Sequence, residues 1–298
     1  MLDRREFLTK SAAATCIASL ASRSAVSREA SFRDDTHPLV VFAKPLQQIP
    51  IDELGRRLKS IGVQGLEATL RKGGQIEPEK LAAELPGFCD TLAKHDQRVV
   101  IATCDLNRVD GSAEDYLKTL AKSQIPYLRM AYYRYDLSRP VLPQLEKFGR
   151  DAAEFGNLCE SHGVQALYQN HAGAEYVGAA LWDLLEVLQE VAPKQIALAI
   201  DLCHTTHELS ESWPAAYQAV RDRIRAVFVK DFKWLDGKAT YVPLGEGRVR
   251  PLWDRLFRDS FAGPISLHME HMDHRPAEFI ENRWRATAAD VAVFQSWL

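Results

Sequence analysis

One pattern recurs along the chain. A short, nearly unbroken apolar run ends in polar residues, and an amphipathic stretch follows. Ile196-Ala-Leu-Ala-Ile-Asp-Leu-Cys-His204 shows it most plainly, with five apolar residues and then Asp201 and His204. Such a run suits a strand buried on both faces, as in a parallel sheet covered by helices. The pattern predicts further strands at 38–43, 65–71, 98–104, 127–133, 164–171, 224–231 and 264–270. Apolar residues at helical spacing predict helices at 51–61, 79–94, 113–122, 142–162, 179–191, 214–223, 252–259 and 277–298. The second of these carries Pro86-Gly87, which leaves open an interruption there. Residues 232–250 read as a longer loop holding Pro243-Leu-Gly-Glu-Gly247.

Eight strand–helix alternations without an interrupting boundary imply parallel strands joined by crossover helices. Eight units argue for closure, so the expected fold is a single (β/α)8 barrel over residues 37–298. The rival, an open doubly wound sheet, wants a glycine-rich phosphate turn after its first strand. Lys44-Pro-Leu-Gln47 is nothing like one.

Composition narrows the picture. The 298 residues are 46% hydrophobic and 26% charged, enough for one large core. A net charge of -3 and the lack of a basic stripe argue against nucleic acid as a partner. No apolar run approaches the ~20 residues of a membrane span. None of Cys16, Cys89, Cys104, Cys159 and Cys203 forms a CxxC pair, so they read as buried thiols, with one disulfide open to an exported protein. Arg4-Arg5, Phe7-Leu8 and the mild Ala-rich segment after them resemble a twin-arginine export signal. Residues 1–36 are therefore expected to be a leader and a linker, and the mature protein to be periplasmic.

Barrel closure would bring the strand tips to one mouth. The residues so gathered include Glu67, Arg71, Arg129, Tyr133, Gln169, Asn170, His171 and Asp201 from the first six strands. His204, Lys230, Asp231, His268 and Glu270 come from the strand-six tip onward. Six of the nine histidines fall at or just beyond strands five, six and eight. That is the composition of a pocket for a metal, a polyol or both. Several have plainer readings: Asp201 as a helix cap or a partner of Lys230, His207 and His274 as surface loop residues, Gly245 and Gly247 as turn formers.

Asp201-Leu-Cys-His204, Val229-Lys-Asp231, Pro243-Leu-Gly-Glu-Gly247 and Glu270 together resemble the xylose isomerase-like TIM-barrel superfamily of sugar isomerases and epimerases. Tyr168-Gln-Asn-His171 looks like a variant of its strand-five motif. The resemblance implies a small sugar substrate and proton abstraction next to a carbonyl. It also implies one divalent ion (Mn2+, Mg2+ or Zn2+), held by Glu, Asp, His and Glu on strands five to eight. Here Gln169 stands at the strand-five acid and Phe228 at the strand-seven histidine. A retained ion would be held by Asp201 and Glu270 with His171 and His204 recruited beside them, His268 being the other register at strand eight. Without an ion, Lys230 supplies the positive charge and His171 or Glu270 moves the proton.

The expected catalytic residues are thus Glu270, Lys230 and His171. The expected sugar-binding residues are Glu67, Arg71, Arg129, Gln169, Asn170, His204 and His268. Three alternatives stay open: a barrel that only binds sugar, a lyase or dehydratase on oxidised sugars, and a hydrolase of abasic DNA.

Overall fold

The structure, a computed structural model, describes residues 37–298. The export signal and linker expected over residues 1–36 lie outside the described residues. Seven strands come first: β1 (Leu39–Phe42), β2 (Gly65–Thr69), β3 (Arg98–Thr103), β4 (Tyr127–Arg129), β5 (Gln165–Gln169), β6 (Ile196–Asp201) and β7 (Ile224–Val229). A hairpin, β8 (Asp231–Leu235) and β9 (Lys238–Val242), separates them from β10 (Ile265–Leu267). β1 to β7 and β10 pair in parallel and close on themselves, with Val40 opposite Ser266 at the seam. The eighth barrel strand is therefore β10.

The helices are α1 (Ile51–Ser60), α2 (Leu81–Ala93), α3 (Ala113–Lys122), α4 (Leu142–Ser161), α5 (Trp182–Val187), α6 (Leu202–Leu209), α7 (Trp213–Val220), α8 (Arg250–Arg258) and α9 (Ile280–Gln295). Each turns an apolar stripe inward. In α1, Leu54 and Leu58 are buried four residues apart while Arg56 and Lys59 stay exposed. The large core between strands and helices includes Leu66, Leu117, Phe155, Tyr168 and Trp253. Removing one such side chain, as in Leu117→Ala, costs about 2–5 kcal/mol. A second, smaller cluster fills the barrel itself: Val40, Ile101, Leu167, Ala199, Ala226 and Phe228 among others. This apolar plug is the floor on which the polar site stands.

The structure closes one open point and corrects three local expectations. α2 runs unbroken through Pro86; both Pro86 and Ala82, four residues before it, are exposed, so the bond that proline cannot make is lost on the solvent side of the helix. The helix after β5 is shorter than the 179–191 expected, since Leu181 adopts a φ of 62° immediately before it. α6 was not foreseen; Asp201 caps it by accepting the His204 backbone N–H at 2.9 Å. The expected loop 232–250 contains the β8–β9 hairpin, turned at Asp236-Gly237, both with positive φ (50° and 72°). An Asp-Gly pair between alternating residues is the signal for such a turn.

Asp231, expected at the mouth, instead organises the loop after that hairpin. Its Oδ2 accepts N–H bonds from Gly245 (3.0 Å) and Gly247 (2.9 Å), and its Oδ1 accepts from Arg248 (2.8 Å). A Cβ at position 247 would collide with this carboxylate, so Gly247 answers a close approach. Cys89, Cys104, Cys159 and Cys203 are free thiols, and the last three are buried.

Candidate active site

The polar tips form two tiers at the carboxyl ends of the strands. The lower tier centres on Glu67 of β2, which is fully buried. Its Oε1 accepts from Thr103 of β3 at 2.8 Å and pairs with Arg129 of β4 at 3.0 Å. Its Oε2 accepts from Ser266 of β10 at 2.5 Å and lies 2.8 Å from His268 Nε2. Burial alone would raise the Glu67 pKa, but Arg129, His268 and Ser266 outweigh it and hold the carboxyl at about 2. Phe42 and Phe228 sandwich the His268 ring at 4.5 and 4.7 Å, and both faces also lie under the Arg129 guanidinium. Phe228, at the expected metal-histidine position, is thus a wall of this tier.

Gln169 joins the tiers. Arg129 donates to its Oε1 at 3.1 Å, as does Tyr132 at 2.5 Å, while its Nε2 donates to Asp201 Oδ2 at 2.8 Å. Arginine only donates, so this orientation of the amide follows from its partners.

The upper tier is built on Lys230. Its Nζ lies 3.1 Å from Asp201 Oδ2 and 3.4 Å from Glu270 Oε2. Burial works against the ammonium, but the two carboxylates, and Tyr241 behind them, raise its pKa well above the usual lysine value. The lysine also reaches under the Tyr241 ring of β9, 5.5 Å from its centroid. Asp201 is held far below the ordinary carboxylate range, against its burial, by His204 and Lys230. Glu270 is held at about 2, again against burial, chiefly by Lys230 and then His268. Its side chain keeps 19% exposure, so it can meet a ligand from the mouth.

Two imidazoles complete the site. His171 Nδ1 lies 2.8 Å from the Ala172 carbonyl. A carbonyl only accepts, so Nδ1 carries the proton and Nε2 of the neutral ring carries a lone pair. Burial, and then Lys230, depress the His171 pKa. The ring stacks on Tyr176 at 4.3 Å and lies 4.0 Å from the His204 ring. His204 is buried, and neither of its ring nitrogens has a hydrogen-bond partner among the described residues. Burial pushes its pKa well below the usual imidazole value. An orphaned, neutral, buried imidazole beside a lysine ammonium is a place prepared for a polar ligand.

Among the expected residues, the structure brings Asp201, Lys230, Glu270, His171 and His204 together. Glu67, Arg129 and His268 lie in the tier beneath, buried and bonded to one another through Glu67, with Gln169 linking them to Asp201. Asn170 braces Asp201: its Oδ1 accepts the Asp201 N–H at 2.8 Å and its Nδ2 donates to Thr205 at 3.0 Å. Arg71 sits half-buried just past β2. Tyr133, expected at the mouth, stacks outward on Phe148 and Tyr168 instead, and Tyr132 takes the inward place. β4 ends at Arg129, and strict alternation does not continue through 130–132. His207 packs against Phe232 and Trp234, and His271 pairs with Asp290 at 3.1 Å. Sequence reasoning missed Tyr132 and Tyr241; the Asp236-Gly237 turn signal would have led to the second.

Of the four expected metal donors, the His171 Nε2 and both His204 ring nitrogens are open among the described residues, while Asp201 is engaged. Asp201 Oδ1 is taken by the His204 N–H, and Oδ2 by Gln169 and Lys230. The ammonium itself stands between Asp201 and Glu270, where a divalent ion would have to lie. Asp201, Cys203 and His204 do bring donor atoms within 4.8 Å of one another. Burial raises the Cys203 thiol far above its usual pKa, away from the thiolate a metal needs.

A closed eight-stranded parallel barrel, with its polar cluster at the carboxyl ends of the strands, makes this a TIM-barrel protein with a candidate site in the usual place. The chain belongs to the xylose isomerase-like TIM barrel family, which it matches over residues 29–292. Solved structures share the fold at low identity. D-psicose 3-epimerase from Clostridium cellulolyticum H10 aligns with a TM-score of 0.66 at 11% identity, covering 88% of this chain and 99% of that one. The 3-keto-D-glucoside 4-epimerase from E. coli aligns at 0.61 and 14% identity, covering 84% and 98%. A xylose isomerase domain protein from Planctomyces limnophilus aligns at 0.63 and 12% identity, covering 81% and 90%. Comparison with curated proteins found no match. No helix among the described residues is long and apolar enough to cross a membrane.

Proposed function

We propose that this protein binds a small keto-sugar and moves a proton at the carbon next to its carbonyl, as an isomerase or epimerase. The observation that carries this reading is the buried Lys230 ammonium, fixed between Asp201 and Glu270 beside the open lone pair of His171. A C–H bond next to a carbonyl is a weak acid. Breaking it leaves an enolate whose charge sits on oxygen, and a preoriented ammonium in a dry site stabilises that charge.

His171 Nε2 takes the proton, and the C–H electron pair becomes the enolate double bond. The Lys230 charge then turns toward the enolate oxygen, and its hold on Glu270 weakens. The Glu270 carboxyl becomes more basic at that moment and can shuttle a proton at the neighbouring hydroxyl. Return of a proton to the opposite face of the same carbon epimerises it; return to the neighbouring carbon isomerises the sugar. No step is assigned to a metal, because Lys230 stands against both expected carboxylate donors, Asp201 and Glu270. The paired arginines Arg4-Arg5 support the reading that this chemistry takes place outside the cytoplasm; fractionation of cells expressing Arg4→Lys/Arg5→Lys protein tests that.

Proton NMR in D2O tests the chemistry. The protein is expected to wash deuterium into the position next to the carbonyl of at least one 3-keto-hexose. His171→Asn should slow this about 10²-fold or more, the usual contribution of a general base. Absence of exchange across keto-hexoses, or undiminished exchange in a folded Lys230→Met variant, defeats the reading.

A further inference from the structure

We infer that the β8–β9 hairpin forms a second subsite for a ring-bearing substituent, so that the substrate is a glycoside of the sugar rather than the free sugar. The inference rests on the function proposed above. In this antiparallel pair, Phe232 stands opposite Tyr241 and Trp234 opposite Ala239. Opposite residues share a face, so Phe232, Trp234, Tyr241 and Ala239 make one apolar side of the hairpin. That side turns to the site: Tyr241 lies over Lys230, and Trp234 meets His207 edge-on at 5.1 Å. Phe232 is buried beneath, but Trp234 remains 42% exposed and Tyr241 37%.

α6 sets the spacing. His204 and His207 are three residues apart and so lie on one helical face, almost one turn, or about 5 Å, from each other. Burial falls along that turn, from His204 in the site to half-exposed His207, so the path runs outward. A sugar ring over Lys230 and His204 would leave its next ring beside His207, Trp234 and Tyr241. Aromatic faces with polar edges suit a second sugar or an aryl group. Continuity with the lysine names the occupant as part of the same ligand: a separate protein partner would have to enter the mouth to reach Tyr241.

Calorimetry with glucose and phenyl β-glucoside, and deuterium exchange with their 3-keto forms, test this together. The phenyl glycoside is expected to bind about tenfold tighter than the free sugar, and Trp234→Ala to remove that preference while Trp234→Phe keeps it. Equal affinity for both ligands in the wild-type protein overturns the subsite, whatever the exchange experiment shows. So does a preference that survives Trp234→Ala. A Trp234-dependent preference without any exchange upholds the subsite and removes the proton-transfer reading instead.

Discussion

Lys230 and Asp201 meet 3.1 Å apart in a place neither shares with solvent, one from the residue after β7 and the other from the end of β6. Each is costly to bury alone, and each is tolerable because of the other. Glu270 makes the arrangement asymmetric, two carboxylates to one ammonium, and leaves a lysine whose charge is fixed in position.

Breaking that arrangement is expected to cost stability as well as activity. Lys230→Met strands two carboxylates and should lower the unfolding free energy by about 3–5 kcal/mol. Urea unfolding measures it. A loss below roughly 1 kcal/mol, the range of an exposed pair, would show that the pair is open to water.

Acid should unfold the protein through its buried carboxylates. Glu67 has a folded pKa near 2 against an ordinary 4.5, so the stability it contributes is complete above pH 4.5 and drains away as pH falls toward 2. His171 and His204 have depressed pKa values, so their contribution is present above the usual imidazole value and declines below it, in the same direction. Unfolding curves between pH 7 and 3 should therefore fall steadily. Glu67→Gln should flatten the portion below pH 4.5 by roughly 3 kcal/mol at most.

Activity should stay flat to lower pH than an unperturbed histidine allows. His171 is the assigned base and its folded pKa is below 6.5, so the acid limb of kcat/KM is expected below pH 6.5. A pH profile with its acid limb above that value contradicts the assignment.

Chelation provides a separate check. If Lys230 supplies the charge, dialysis against EDTA should leave deuterium exchange unchanged within about twofold. Loss of exchange that Mn2+ or Zn2+ restores would return the work to a metal at Asp201, Cys203 and His204.

The loop behind the site should depend on one carboxylate. Asp231→Asn keeps the shape but turns an acceptor oxygen into an N–H donor facing backbone N–H groups, and is expected to cost about 2–3 kcal/mol. Hydrogen exchange at residues 245–249 should rise with it. Unchanged protection there would mean that the loop is held by something other than Asp231.

The alternation of apolar runs and amphipathic stretches was enough to predict the eight barrel units, because burial on both strand faces and on one helix face leaves local signatures. The tip residues Asp201, Lys230, Glu270 and His171 could be nominated for the same reason. Tyr132 against Tyr133, and the covering hairpin with Tyr241, escaped because strand ends and loops obey weaker local rules. Pairings were decided only by the closed barrel. Glu67 bonds to Ser266 and His268, about 200 residues away, and Lys230 takes the space between two carboxylates from different strands. A sequence states which groups stand at the tips. Their charges, tautomers and accessibility depend on neighbours that closure alone brings within reach, since electrostatic and hydrogen-bond energies are set by ångströms in space and not by distance along the chain.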